Sequence, residues 1–260
     1  MCGRFVLEST TTEIVDAFAL EDTPDCPPRY NIAPTQPILI VRHRSVPESS
    51  NVPPREAVLA RWGLIPPWAK PGDKLPLLIN ARSETAAQKA SFRAAMKRRR
   101  VLVPISGFYE WRRVDVGARK PVLEPHYVRP RDGGEHRGGP LALAGLMEVG
   151  AGADEMVSAA IMTAEATSDF RHIHHRMPVV VGPDDYARWL DPERGPGDVA
   201  DLLHAPPEGF FEPVPVSERV NKVANQGPEL IVPVEREPAA PPPPAPIRER
   251  AEPDAQGSLF

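Results

Sequence analysis

Apolar residues recur at helical spacing in three stretches of the chain. In residues 11–20 the apolar side chains Ile14, Val15, Phe18 and Ala19 follow threonines that can cap a helix, and this pattern predicts a short helix. Residues 83–97 and 183–190 also predict helices. The first of these leads into four consecutive bases, from Lys97 to Arg100, and positive charge is favourable at a helix C-terminus.

Six shorter stretches are apolar throughout or alternate between apolar and polar residues, which is typical of strands. They are residues 38–42, 58–62, 101–104, 109–112, 141–146 and 158–162. Strands and helices interleave without regular βαβ units, so the pattern predicts the α+β class. Residues 129–139, with the sequence RPRDGGEHRGG, predict an exposed hairpin loop.

Proline usage divides the chain near Val234. The 34 prolines are about 13% of the 260 residues, against about 5% in an average protein, which excludes a helical bundle. Residues 1–234 contain no internal repeat and predict a single domain. Residues 235–260 include a run of prolines and alanines that cannot build a core, so we predict a disordered, extended tail there.

Charge and cysteine content limit the possible functions only weakly. The chain has 31 basic and 35 acidic residues, a net charge of −4, so any basic groove for nucleic acid must come from the placement of individual residues. No stretch approaches the roughly 20 apolar residues that cross a bilayer, and no apolar signal core follows the first residues. We therefore expect a cytoplasmic protein. Two cysteines, Cys2 and Cys26, are too few for a disulfide framework.

Cys2 is a candidate nucleophile because of its position. Removal of Met1 would leave a cysteine with a free α-amine and a thiol on adjacent carbons. Their usual pKa values, about 7.7–8.0 and about 8.5, predict an appreciable reactive fraction of each at neutral pH without tuning by the protein. The amine can form a Schiff base with an aldehyde, and the thiol can then close a thiazolidine ring. The alternative is that Cys2 is an ordinary second residue.

Six short motifs occur in order along the chain. They are Met1-Cys2-Gly3-Arg4-Phe5, Arg29-Tyr30-Asn31-Ile32-Ala33-Pro34, Arg61-Trp62-Gly63-Leu64-Ile65-Pro66-Pro67-Trp68, Ile79-Asn80-Ala81-Arg82-Ser83-Glu84-Thr85, Gly107-Phe108-Tyr109-Glu110-Trp111 and Ile173-His174-His175-Arg176-Met177-Pro178. Together they resemble the SRAP (SOS response-associated peptidase) family of abasic-site processing proteins, over residues 2 to about 232.

The resemblance implies a fold and a reaction. The implied fold is a single α+β domain with an irregular β-barrel-like core and flanking helices. The implied reaction is a covalent thiazolidine crosslink between Cys2 and the open-chain aldehyde of an abasic site in single-stranded DNA, which shields the lesion, with a capacity for lyase cleavage of the strand. The resemblance implies no cofactor and no membrane partner, and we expect a monomer.

The resemblance also assigns catalytic roles to three residues besides Cys2. Asn80 would hold the amine or the new ring, where an isolated asparagine would more simply cap the backbone. Glu110 would act as general acid and base, and its aromatic neighbours predict a pKa raised by desolvation. Sequence alternation alone leaves open a glutamate at a strand edge that faces water. His174 would transfer protons or stabilise an intermediate.

Histidine spacing raises a metal alternative, because His172 and His174 point the same way in an extended segment. No cysteine or carboxylate cluster at ligand spacing accompanies them, so we predict no metal site. His172 and His175 are expected to face solvent or phosphate.

DNA contacts are expected around the catalytic residues. Three arginines each lie two positions from one of them, so they could meet phosphates in one groove, and Trp68 with its neighbouring prolines could stack on a base. Trp62 and Trp111 are expected in the core, and the bases at 97–100 either end a helix or contact DNA. With two residues that the resemblance adds, Asn31 and Thr163, the candidate DNA-binding set is Arg4, Asn31, Trp68, Arg82, Thr163 and Arg176.

Two other functions remain open on the sequence. Cys2, His174 and Asn80 could form the Cys-His-Asn set of a cysteine peptidase that acts on Met1 or on other proteins, although no sequence element suggests a peptide cleft. The protein could also be a non-catalytic adaptor that binds single-stranded DNA and a partner.

The last five residues, Gln256-Gly257-Ser258-Leu259-Phe260, resemble the Gln-x-Ser-Leu-Phe peptide by which bacterial replication and repair proteins bind the sliding clamp. Leu259 and Phe260 would be the apolar anchors and Gln256 the polar one. A terminus without a role is the alternative.

Overall fold

The computed structural model describes residues 2–47, 54–70, 72–117, 120–131, 139–150 and 156–235. Its strands are β1 (Phe5–Leu7), β2 (Arg29–Ile32), β3 (Pro37–His43), β4 (Arg55–Trp62), β5 (Asn80–Arg82), β6 (Arg100–Ile105), β7 (Gly107–Val114), β8 (Val122–Pro130), β9 (Leu141–Val149), β10 (Val157–Glu165), β11 (Arg176–Pro178), β12 (Val180–Val181) and β13 (Phe211–Pro215). Its α-helices are α1 (Thr11–Phe18), α2 (Arg93–Arg98) and α3 (Tyr186–Leu190). Short 3-10 helices span Pro183–Asp185, Pro196–Leu202, Glu218–Asn221 and Pro228–Leu230.

These strands form two sheets, and the α+β class predicted from the sequence is confirmed. The five-stranded sheet has the order β13-β8-β7-β1-β2 with antiparallel neighbours. The eight-stranded sheet has the order β11-β10-β4-β3-β6-β9-β12, and β5 pairs with β10 beside this path. Because β10 also pairs with β9, the strands β10, β4, β3, β6 and β9 close into a ring.

A single large apolar core joins the two sheets. Phe5 on β1 contacts Trp62 on β4 edge to face, with ring centroids 5.0 Å apart. Trp62 is fully buried as predicted, and its indole N–H donates to the carbonyl of Ile79 at 3.0 Å. Trp111, also predicted in the core, is only half-buried. Its indole N–H reaches Asn221 Oδ1 at 2.7 Å, which keeps the ring at the edge where its polar atom has a partner.

The predicted strands are all present, whereas one predicted helix is largely wrong. Helix α1 confirms the prediction for residues 11–20, and Thr10 with Glu13 forms a capping box at its start. For residues 183–190, a 3-10 turn leads into α3. Within 83–97, only the residues from Arg93 onward are helical, and 83–92 form turns.

Tertiary contacts explain why residues 83–92 do not form a helix. The backbone N–H of Ser83 donates to the carbonyl of Thr163 on β10 at 2.9 Å, and the Glu84 carboxylate is paired with Arg176. These contacts fix the segment against the sheet edge, so local helix propensity is overridden.

Several predictions concern residues beyond those described. The loop predicted at 129–139 begins at the end of β8, but residues 132–138 lie outside the described residues. So does nearly all of the predicted tail, from residue 236 to the clamp-binding motif. Within the part of the chain that the structure describes, no helix is both long and apolar enough to span a membrane.

The start of β7 tests how tightly this strand packs against the side chains of its neighbour β8. A Cβ placed on Gly107 would lie 2.6 Å from the ring of Tyr127, so Gly107→Ala is expected to lower the free energy of unfolding by about 1–3 kcal/mol through overpacking. Urea denaturation measures this loss. Gly197→Ala is the matched control, because no atom lies within 4 Å of the added methyl group. Equal stabilities of the two variants would contradict the packing of Tyr127 described here.

Candidate active site

Cys2 lies just before β1 and is fully buried. Its backbone carbonyl accepts a hydrogen bond from Asn80 Nδ2 at 2.9 Å. Asn80 is the first residue of β5, and β5 pairs in parallel with β10 through Asn80 and Ile161. The Oδ1 atom of Asn80 is buried and has no hydrogen-bond partner among the described residues. The Asn80 amide therefore connects the reactive segment to the edge of the large sheet and keeps one acceptor available.

Glu110 lies on β7 and is 4% exposed. Burial is the main cause that raises the pKa of its carboxyl, which confirms the direction predicted from its aromatic neighbours. The alternative of a glutamate facing water is wrong, because the side chain shares a strand face with the buried Phe108. A buried carboxyl with a raised pKa can hold a proton at higher pH than an exposed glutamate.

The Cys2 thiol is not poised as a thiolate, contrary to the expectation from its reference pKa. Burial, and after it the negative charge of Glu110, raise the pKa of the thiol far above its usual range. The thiol is therefore neutral in this environment. The same effect shows that the thiol and the Glu110 carboxyl lie close enough to interact electrostatically.

His174 lies in the segment before β11 and is half-buried. Burial lowers its pKa to about 4, so the ring is neutral at neutral pH. The shorter of its two backbone contacts has the Arg176 N–H donating to Nδ1 at 2.9 Å, which assigns the ring proton to Nε2. The ring stacks on His175 with centroids 4.3 Å apart.

Contacts among the described residues connect the catalytic candidates. Asn80 donates to the Cys2 carbonyl, and after burial the charge of Glu110 is the next cause that raises the pKa of the Cys2 thiol. His174 is linked to the edge that carries Asn80 through Arg176, whose guanidinium donates to the Thr163 carbonyl on β10.

Arg4 and Asn31 form a network within the protein. Arg4 Nη1 donates to Asn31 Oδ1 at 2.7 Å and to the carbonyl of Val220 at 2.9 Å, and the guanidinium lies 5.8 Å from the Trp111 ring centroid. Asn31 is fully buried, and its amide donates to the carbonyls of Val220, Lys222 and Asn225. The Asn31 amide nitrogen is thus bonded inside the fold and its Oδ1 accepts from Arg4, so a direct DNA contact by this residue stays only a prediction.

Arg176 and Thr163 are also buried, at 8% and 0% exposure. The Arg176 guanidinium makes a two-pronged ion pair with Glu84, at 2.7 and 2.9 Å, and donates to the carbonyl of Thr163. The hydrogen bonding of the Glu84 carboxylate by Arg176 lowers the pKa of Glu84. Glu84 and Arg176 are 92 positions apart, so the sequence does not reveal that they pair. The sequence feature that could have indicated a role for Glu84 is its place in the same motif as Asn80.

Arg82 and Trp68 are the exposed members of the candidate DNA-binding set. Arg82 pairs through its backbone with Thr163, and Trp68 is 50% exposed. Of the neighbouring histidines, His172 and His175 are exposed. No group of three or more His, Cys, Asp or Glu side chains that could hold a metal occurs among the described residues.

Comparisons with known proteins agree with the motifs and the fold. A family model described as SOS response associated peptidase (SRAP) matches residues 1–223. The abasic site processing protein YoaM of Bacillus subtilis (strain 168) is 32% identical over 237 residues, covering 89% of this chain and 97% of YoaM. The abasic site processing protein HMCES of Gallus gallus is 33% identical over 227 residues, covering 80% of this chain and 67% of HMCES.

The fold is also similar to that of solved structures. A Bacteroides thetaiotaomicron protein superimposes with a TM-score of 0.73 at 21% identity, over 90% of this chain and 100% of that chain. Because the family model matches most of the chain, it identifies the family to which the protein belongs. This chain belongs to the SRAP family.

The raised pKa of Glu110 predicts a pH-dependent stability difference. The protonated carboxyl is favoured in the folded state, so its contribution is fully present below the unfolded pKa of about 4.5 and is lost as pH rises through the higher folded value. Glu110→Gln does not titrate, so the stability of the wild type relative to this variant should fall with pH across that window. Urea denaturation at a series of pH values measures it. The exposed Glu193→Gln serves as control, and a difference for Glu110→Gln that stays constant with pH would contradict the desolvation of Glu110.

Proposed function

We propose that this protein captures abasic sites in single-stranded DNA as a covalent adduct of Cys2. The observation that carries the proposal is the packing of the buried Cys2 against the Asn80 amide and within electrostatic range of Glu110. The relatives YoaM and HMCES, both named abasic site processing proteins, point to the same substrate.

The proposed reaction needs no cofactor and no oxidant. Once Met1 is removed, the α-amine of Cys2 attacks the C1′ aldehyde of the open-chain sugar to give a carbinolamine, which loses one water to form a Schiff base. This Schiff base is protonated, because the departing hydroxide takes its proton from an acid. The thiol sulfur then adds to the same carbon as a base accepts the thiol proton, and the nitrogen keeps its hydrogen as the ring N–H. The product is a five-membered thiazolidine, and the balance is one aldehyde and one aminothiol to one ring and one water.

Glu110 is suited to move both protons in this sequence. Its raised pKa favours a protonated carboxyl that can assist the departure of hydroxide from the carbinolamine. The carboxylate left behind can then accept the thiol proton, which is necessary because the Cys2 thiol is itself neutral. One carboxyl thereby serves as acid and then as base.

Asn80 and His174 have supporting roles in this scheme. The Asn80 amide holds the Cys2 carbonyl, and its Oδ1 can accept a hydrogen bond from the amine or from the N–H of the ring. The neutral His174 ring can donate from Nε2 to the sugar hydroxyl. A Schiff base makes the C2′ proton acidic, so strand cleavage competes with ring closure, and closure removes the imine that cleavage needs.

We assign the proposed DNA contacts by exposure. Arg82 and Trp68 can reach phosphate and base directly, whereas Asn31, Thr163 and Arg176 act by holding their segments in place. Arg4 is intermediate in exposure, because its guanidinium is half-buried against the Trp111 ring. All four catalytic candidates come from one chain, so we propose a monomer as the working unit.

A cysteine peptidase has less support than the crosslinking reaction. Such an enzyme uses a thiolate next to an imidazolium, but here burial raises the pKa of the thiol and lowers that of the histidine to about 4. Both groups are therefore neutral, which suits addition to an imine better than attack on an amide. A passive adaptor would not need a buried carboxyl beside a buried thiol.

Cys2→Ala is expected to abolish the stable adduct, because the variant keeps the amine but lacks the sulfur that closes the ring. Intact mass after mixing with a single-stranded oligonucleotide that carries one abasic site measures the adduct, without borohydride. Cys26→Ala is the matched control, since Cys26 is the other buried free cysteine, and it should crosslink like the wild type.

Four outcomes would contradict this proposal. A hydrolysis-resistant adduct of Cys2→Ala would exclude the thiazolidine. Unchanged crosslinking by a protein with an uncleaved tag ahead of Cys2 would exclude the α-amine. Removal of Met1 without any DNA adduct in the wild type would favour the peptidase, and neither activity would favour the adaptor.

We also propose that the last five residues bind the replication sliding clamp, with Gln256, Leu259 and Phe260 as contacts. The support is the sequence motif and the proline-rich stretch before it, which can act as a spacer that raises the local concentration of Cys2 near DNA at the clamp. Direct binding of purified clamp should be lost in a variant that ends at Ala255. Equal binding of both forms, or no binding at micromolar concentration, would contradict the proposal.

A further inference from the structure

A basic cavity lies away from the candidate active site. Its volume is about 250 Å³, and it opens at the end of β6 where Arg100 starts the strand. β7, which carries Glu110, follows the other end of β6, and the six residues of β6 separate the two ends by about 17 Å. The lining residues are Arg42, His43, Arg44, Ser45, Glu56, Arg98, Arg99, Arg100, Met147 and Pro192.

Three separate parts of the fold bring the five arginines of this cavity together. Arg42 is on β3, which pairs with β6 through Arg42 and Val101. Arg44 follows β3, and its backbone N–H donates to the carbonyl of Pro54. The remaining three end α2 and begin β6 without a break in the chain, and the Arg99 carbonyl accepts from Met147 on β9. Lys97 and Arg98 end α2, as the sequence predicted, and the run of bases continues through Arg99 into β6.

The charge of this cluster is only partly compensated. Arg42 pairs with Glu56 at 2.8 Å, Arg44 with Glu21 at 3.4 Å and Arg99 with the buried Glu148 at 2.8 Å. Three of the five arginines thus have an ion-pair partner, and the charges of Asp191 and Asp198 act on Arg100, so the charge left without a nearby carboxylate is that of Arg98. Arg98 is exposed and has no ion-pair or hydrogen-bond partner among the described residues.

Arg100 supplies a fixed positive charge behind the cavity. It is 3% exposed, and its N–H groups donate to five backbone carbonyls, those of Met96, Lys97, Trp189, Asp191 and Arg194. Burial lowers its pKa, while the nearby Asp191 and Asp198 oppose this effect. Because every N–H is used, Arg100 can attract an anion but cannot bind it directly.

Arginine N–H groups that make no hydrogen bond within the described residues indicate where a ligand could bind. Arg98 is exposed and offers its whole guanidinium, and Arg42 pairs with Glu56 through Nε. The Nε of Arg99 is buried without a hydrogen-bond partner among the described residues, so Arg99 contributes its charge. Planar guanidinium groups match the oxygens of phosphate in geometry and charge. A cavity of 250 Å³ is below the roughly 300–1,000 Å³ of pockets for drug-sized ligands, so a small hydrated anion fits better than a large organic molecule.

We propose that this cavity is a second anion site, which binds a phosphate group by means of Arg42, Arg98 and Arg99. The phosphate could come from the backbone of a bound nucleic acid strand or from a free phosphate or nucleotide in solution. The site does not depend on the reaction of Cys2, and its test uses ligands that contain no abasic site.

The test compares the full-length protein with two double variants. Arg42→Gln/Arg98→Gln removes two cavity arginines, and Arg93→Gln/Arg113→Gln removes two exposed arginines that do not line the cavity, one of them from the same helix α2. Thermal unfolding in sodium chloride first establishes that all three proteins are folded. Titration with inorganic phosphate at constant ionic strength then measures affinity, which should fall at least about tenfold in the cavity variant alone.

A second titration identifies the source of the phosphate. Binding of an undamaged single-stranded oligonucleotide is measured over a range of salt concentrations, and loss of one backbone contact lowers the salt slope by about 0.7. Loss in both titrations supports a DNA phosphate, and loss with inorganic phosphate alone supports a free phosphate or nucleotide. No difference between the two double variants with inorganic phosphate overturns the proposal, whatever the oligonucleotide does.

Discussion

The pairing of β10 with four other strands is the constraint on which the candidate active site depends. β10 binds β4 and β5 in parallel and β9 and β11 in antiparallel register. At its end, Thr163 lies between Arg82 of β5 and Pro178 of β11, so this one residue sets the relative position of two segments far apart in sequence. The Arg176 ion pair with Glu84 fixes the same two segments through side chains. Asn80 and His174 owe their positions to this arrangement.

Desolvation sets the protonation states of the candidate catalytic residues. The same burial raises the pKa of the Cys2 thiol and of the Glu110 carboxyl and lowers that of His174, so all three favour their neutral forms. Neutral groups suit a reaction in which protons move in sequence between amine, carboxyl and thiol. They suit a mechanism with a standing thiolate much less.

Arginine serves opposite purposes at the two ends of β6. Near the active site, Arg4 and Arg176 are largely used inside the fold, where they hold Asn31, Thr163 and Glu84. At the other end, Arg100 is also buried and donates to backbone carbonyls, and Arg98 beside it is exposed and has no side-chain partner among the described residues. A net charge of −4 therefore hides a locally positive cavity, because charge sums carry no information about which residues the strands bring together.

The sequence by itself determined six of the thirteen described strands, helix α1, the α+β class and, through six motifs, the family and the identity of the reactive candidates. These features depend on local periodicity or on residue type. Tertiary structure alone decided that residues 83–92 are turns, that Trp111 stays at an edge, that the Cys2 thiol is neutral and that Arg176 is an internal clamp. Each of these depends on burial or on a partner many positions away, and neither can be read from neighbours along the chain.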